Sequence, residues 1–328
     1  MTAELESFAA PAPEVFDPAE TAAVLATGIA EAIRQLGRRG AVVNVSGGVD
    51  SGVVAALCAR ALGPERVVCL RLPERALGEN SSDLGLELAT QLGAPTYEQC
   101  ISPALESLGV YEQQDAAIRQ VFPDYQPGWP YKLVRSLPTG GVIVFSLVVQ
   151  RPDGQQERRR MPAEAYRLLI SATNAKQRVR TLISYTWADR LQYAVAGTPN
   201  LLEYDQGFFV KGGDGLADLK PIAGLYKQQV YALARHLALP DGIAGRSPTT
   251  ETFALAQSQE EFYFGHPVAQ MDLLLWGERN RVPAGVVAGW TGLTTDQVEA
   301  GYREVARRRT ATAYLHAPAW LMPSSGGA

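Results

Sequence analysis

The chain is poor in the residues that most often carry metal or redox chemistry. It has only three cysteines and three histidines among 328 residues. Cys58, Cys69 and Cys100 show no CxxC spacing and sit in apolar stretches, so they read as buried thiols of a reducing compartment rather than a disulfide framework or zinc site. His236, His266 and His316 have no metal-ligand spacing either. No apolar run approaches the length of a membrane span, and the N-terminus lacks a basic region followed by an apolar core, so a cytoplasmic protein with no membrane partner is expected. A net charge of -4 leaves no basic footprint for nucleic acid; the run Arg158-Arg159-Arg160 is short enough to be a solvated face.

What is present suits one soluble α/β body. At 46% apolar and 20% charged residues the chain can bury a large core. We expect a single domain over 1–328, with an insertion at about 109–165 and a C-terminal helical segment at about 266–322. Ala41 to Val45 reads as a short buried strand, and Val53 to Leu57 as the helix after it. Between them lies Ser46-Gly47-Gly48-Val49-Asp50-Ser51. The glycines let backbone approach an anion, and the helix N-terminus adds unpaired N–H groups and positive dipole. Ser46 and Ser51 can donate to phosphate oxygens, whereas Asp50 would repel them unless a divalent cation stood between. No Gly-Lys-Ser/Thr follows, which excludes a Walker A loop. Gly47-Gly48 alone would fit an ordinary strand-to-helix turn; the full string after a strand favours phosphate binding.

Asp17 and Pro18 open an earlier helix that runs to Leu36, and Arg66–Leu72 followed by a helix near Ser82 to Leu92 repeats the strand–helix pattern. The sequence therefore predicts a doubly wound parallel sheet with helices on both faces, and puts Arg71 beside the loop at the strands' carboxyl ends. Residues 109–165 break the rhythm. A Pro- and aromatic-rich loop, Gln126 to Tyr131, precedes the β-type run Val142 to Val149, a turn at Arg151-Pro152-Asp153-Gly154, and a polar return, Gln155 to Arg160: an inserted hairpin. Its apolar strand needs a cover, from its own chain or from a second subunit.

The loop resembles the SGGxDS pyrophosphate loop of the N-type ATP pyrophosphatases, and later blocks are similar to those of the NAD synthetases. Asn174 to Arg180 resembles their NxxAR segment, and Gly197 to Glu203 their GTxNxxE strand end. Phe208 to Asp218 is similar to FFTKxGDGxAD, Leu225 to Val230 to LxKxQV, and Ser247 to Thr250 to the PTADL segment. The resemblance covers about residues 40–100 and 170–265. It implies that Ser46, Gly47, Gly48, Val49, Asp50 and Ser51 hold ATP together with Arg71, Thr198, Lys227 and Thr249. Asp50 and Glu203 would share one Mg2+, and Lys211 and Lys227 would neutralise charge on the leaving pyrophosphate. Asn174, Arg178, Lys211, Asp214 and Asp218 would contact the second substrate.

The implied reaction adenylates the carboxylate of nicotinic acid adenine dinucleotide and aminates it with ammonia, in a homodimer. With about 40 residues before the loop, no glutaminase is expected, so ammonia would be free or come from a separate protein. The sequence departs from the pattern at Leu201-Leu202, at Pro248 to Thr252, and at His316, which Ala317-Pro318 follows. Two alternatives stay open: a same-fold ligase for another carboxylic acid, and a non-catalytic nucleotide binder. Intact Ser46, Asp50, Ser51 and Glu203 count against the second.

Overall fold

The computed structural model describes residues 16–75, 80–136, 144–246 and 253–322. Its centre is a parallel sheet of β1 (Ala41–Asn44), β2 (Val67–Arg71), β3 (Thr96–Glu98) and β7 (Ala194–Ala196), in the order β3-β2-β1-β7. Ala41 lies opposite both Val67 and Ala194. Strands this short and apolar must be covered on both faces, and they are. Ala41 and Val43 of β1 belong to one core with α1 (Pro18–Gln35), α2 (Val49–Leu62), α8 (Lys227–His236) and α9 (Asp241–Ala244). Val42, Val68, Leu70 and Val195 point the other way, into a core with α4 (Ser102–Ser107), α5 (Val110–Arg119) and the long α6 (Ala163–Leu191). The strand–helix alternation is completed by α3 (Asn80–Leu92). Helix α1 starts as its sequence dictates: Pro18 takes the first position, and the Asp17 carboxylate accepts the Ala19 and Glu20 N–H groups.

The inserted hairpin is present as β5 (Val144–Gln150) and β6 (Gln156–Arg160), but a third strand joins it. β4 (Tyr131–Ser136) pairs antiparallel with β5, with Leu133 opposite Leu147. Leu133, Leu147 and Val149 pack on Ala117, Ile118 and Phe122 and on Ala165 and Leu169 of α6, so this chain covers the sheet's apolar face itself. The remaining core joins α7 (Leu201–Asp205) to α10 (Val268–Arg279), α11 (Ala284–Thr291) and α12 (Thr295–His316).

Two local expectations are corrected. Glu203 does not end a strand: β7 stops at Ala196, and Glu203 lies in the first turn of α7, where Asn200 caps the helix. Helix α12 is capped by Thr294, whose hydroxyl accepts the Gln297 N–H. Cys58 and Cys69 are buried, and burial pushes both thiols up to about 12, but Cys100 is exposed. Residues 1–15, the Ser247 to Thr250 segment and the residues from Pro323 on lie outside the described residues.

Candidate active site

The Ser46–Ser51 turn forms as its residues require. Gly47 takes φ 79°, a conformation that favours glycine, and Gly48 begins α2 with no side-chain cap. The hydroxyls brace the turn from within: the Ser51 hydroxyl donates to the Gly48 carbonyl at 3.0 Å and lies 3.4 Å from the Ser46 hydroxyl, and the Gly48 N–H donates to Ser46 Oγ at 3.3 Å. Arg246 Nη1 donates to the Gly47 carbonyl at 3.2 Å, bringing a second cation to the loop.

Beside it, two carboxylates and an ammonium come together. Lys227 Nζ, almost wholly buried at the start of α8, donates to Asp50 Oδ2. Asn200 joins both acids: its Nδ2 donates to Asp50 Oδ1 at 3.1 Å, its Oδ1 accepts the Glu203 N–H at 3.1 Å, and its N–H donates to Glu203 Oε2 at 3.2 Å. Gln259 Nε2 donates to Glu203 Oε1 at 2.8 Å. Burial, and then the charge of Asp50, push the Glu203 carboxyl up to about 7. Burial alone would lower Lys227, but Asp50 and Glu203 outweigh it and hold the ammonium above its usual range. Lys227 is held from behind by Asp272 of α10, which accepts the Gln228 N–H at 3.0 Å; burial pushes that carboxyl up to about 7.

These groups open into a cavity of about 1230 Å3. Ser46, Gly48, Val49, Asp50, Ser51 and Arg71 line it near the loop, and Thr198, Glu203 and Lys227 line it from the turn after β7, from α7 and from α8. Asn174, Arg178, Lys211 and Asp214 lie on the wall as well. Gly47 and Asp218 do not. Asp218 acts as a bolt: it accepts the Val195 N–H at 2.7 Å and the Tyr185 hydroxyl at 3.2 Å. Lys211 is engaged elsewhere, donating to the Tyr314 and Ala317 carbonyls at 2.7 and 3.0 Å, where the negative end of the α12 dipole substitutes for an anion. Asp214 accepts the Val210 N–H at 2.7 Å and closes its loop, and Arg178 Nε donates to the Lys211 carbonyl at 3.3 Å. Thr249 lies outside the described residues.

Sequence reasoning missed Asn200, Gln259 and Asp272, which orient the charged groups, and the Glu74–Lys176 ion pair, 2.7 Å long and buried, on which α6 meets the end of β2. Asn200 had a signal: Asn-x-x-Glu is a capping-box pattern, and both halves of the box form.

A family model for NAD synthase matches residues 21–121 and 155–312. An NH(3)-dependent NAD(+) synthetase of Rhizobium meliloti is 48% identical over 302 residues, spanning 92% of this chain and 90% of that protein. One from Mesorhizobium japonicum is 50% identical over 284 residues, 86% of this chain and 89% of the relative. Among solved structures, an NMN synthetase from Francisella tularensis aligns with a TM-score of 0.64 at 22% identity, covering 94% of this chain and 99% of that one. An NH3-dependent NAD synthetase from Campylobacter jejuni aligns at 0.61 and 20%, covering 94% and 100%. At such identities these two likenesses bear on the fold alone. From the family model and the close relatives together, the chain belongs to the NAD synthase family.

Proposed function

We propose that this chain is an ATP-dependent ligase that converts nicotinic acid adenine dinucleotide to NAD with ammonia. One observation carries it: the phosphate loop, the Asp50–Lys227–Glu203 cluster and a second polar wall share one cavity larger than a single nucleotide needs. In this reading the substrate carboxylate attacks the α-phosphate of ATP, pyrophosphate leaves, and ammonia then displaces AMP from the acyl-adenylate to form the amide.

The protein supplies positioning and charge rather than a nucleophile. The turn's hydroxyls and the first N–H groups of α2 hold phosphate oxygens. Lys227 and Arg246 stabilise charge on the departing pyrophosphate. Arg71 and Thr198 hold the adenylate, and Asn174 and Arg178 the second substrate. Two part-buried acids one asparagine apart suit a hard cation, and among the described residues no cluster of three or more His, Cys, Asp or Glu could hold a metal unaided. That is the donor set of Mg2+, which uses one or two carboxylates and completes its shell with phosphates. Asp50 and Glu203 would hold it, and it would supply charge neutralisation that lets anions meet.

Given ATP, Mg2+, ammonium and nicotinic acid adenine dinucleotide, the purified protein is expected to release AMP, pyrophosphate and NAD, with glutamine failing to replace ammonium. Pyrophosphate exchange with another acid, and no NAD, would move the assignment to the alternative ligase; no exchange with any acid would end both. We also propose a homodimer, which the family resemblance supports; the insertion no longer argues for it, since its apolar face is covered within the chain. A cytoplasmic setting fits three free thiols, and no helix among the described residues is long and apolar enough to cross a membrane.

A further inference from the structure

The inserted sheet touches the reaction centre through one arm of chain. Gln259, which donates to Glu203, stands immediately before a single π-helical turn, Glu260–Phe264, closed by Gly265 at φ 80°. The Gly265 N–H reaches the Glu260 carbonyl at 2.8 Å, the wide spacing that marks π turns, which recur at functional sites.

That arm is fixed along its far side by β4. Leu255 N–H donates to the Tyr131 carbonyl at 3.3 Å, and Gln257 Nε2 to the Leu133 carbonyl at 2.5 Å. Lys132 pairs with Glu261 at 2.8 Å. Arg135, its side chain 4% exposed, donates from Nη1 to the Tyr263 and Phe264 carbonyls at 3.0 and 3.1 Å and from Nη2 to Glu304 at 2.6 Å. Three of these bonds end on the arm's own backbone, at the Leu255 N–H and at the Tyr263 and Phe264 carbonyls, so they set where the arm runs. Residues 122–154, which hold all of β4 and β5, fall between the two ranges matched by the family model, whereas Glu203 and Gln259 fall inside one.

We propose that Gln259 is a positioning residue for the Glu203 carboxylate, and that the inserted sheet holds it in place through Arg135 and Gln257. A neutral amide suits the task. It fixes one oxygen of Glu203 while leaving the negative charge intact, whereas a second lysine would cancel the charge a cation needs. With Asn200 on Oε2 and Gln259 on Oε1, the carboxylate plane is set before any ligand arrives.

The inference rests on Glu203 being a metal-holding residue, and its test reads metal binding rather than turnover. Mn2+ would be titrated, by electron paramagnetic resonance, into protein saturated with a non-hydrolysable ATP analogue. Gln259→Leu and Arg135→Lys are each expected to weaken Mn2+ about tenfold, the lower end for losing an outer-shell partner. Binding of the analogue in EDTA and the melting temperature of Gln259→Leu should stay near wild type. Lysine cannot reproduce the two-carbonyl fork of Arg135. If Arg135→Lys does not fold, Gln257→Leu takes its place, removing only the Leu133 bond. Wild-type Mn2+ affinity in folded Gln259→Leu overturns the proposal; loss there with none in the sheet variant overturns the sheet's part. A wild-type protein that makes no NAD yet shows these Mn2+ shifts would refute the assigned reaction and leave this inference standing.

Discussion

Glu203 and Asp50 show how much of a site's chemistry is decided by neighbours rather than by residue type. The folded Glu203 carboxyl titrates near 7, raised from an ordinary 4.5 first by burial and then by Asp50. In ligand-free protein the folded state therefore keeps a proton that the unfolded chain has already released, so this group's contribution to stability falls as pH rises from about 4.5 to about 7 and is level above. Urea midpoints of wild type and Glu203→Gln across that window should show the wild type losing ground to the variant as pH rises. Asp272 titrates nearby in both proteins and cancels. At pH 7.5 with Mg2+, Asp50→Asn and Glu203→Gln are each expected to abolish ATP–pyrophosphate exchange without unfolding, as circular dichroism would verify. Near wild-type turnover in either would refute the shared-cation assignment. Lys227→Met should lower kcat by roughly 10²- to 10³-fold in steady-state assays, the scale of removing one preorganised charge donor.

Among elements, the phosphate turn was legible because all its determinants are contiguous: two glycines, two hydroxyls and an acid within six residues, after a strand buried on both faces. Helix α7 was partly legible, since Asn200 and Glu203 stand at capping-box spacing, but a five-residue helix has too little periodicity to announce itself. β4 was hidden: Pro127, Gly128 and Pro130 just before it read as a loop, and its two buried apolar residues, Leu133 and Val134, are adjacent, so no alternation of apolar and polar residues announces a strand. Gln259 could not be read at all, because its meaning depends on a contact 56 residues away. The sheet's cover gives an element-scale prediction. Leu147 is fully buried against α5 and α6, so Leu147→Ala should cost about 2–5 kcal/mol in chemical denaturation. A cost below 1 kcal/mol would mean the sheet is not packed as described.

For the molecule as a whole, the parallel sheet delivers phosphate-binding groups at its carboxyl edge, and α12 returns to the cavity wall with Tyr314 and Leu315. Light scattering at micromolar concentration is expected to give twice the 35.4 kDa chain mass; a monomer would mean that the second substrate is held by one chain alone. Arg309 and Tyr314 tie down the last turns of α12. Arg309 is held by Asp205 and Glu278, with contacts at 3.1 and 2.8 Å, and five residues on, Tyr314 offers its carbonyl to Lys211. Because that tether ends on main-chain oxygen, descendants of this gene can rewrite the side chains at 314 and 317 freely and keep it. They cannot change the count: deleting one residue between Arg309 and Tyr314 would turn the helix end by about 100° and draw it back by about 1.5 Å, carrying both carbonyls away from Lys211. Divergence in this last stretch should therefore be rich in substitutions and empty of gaps.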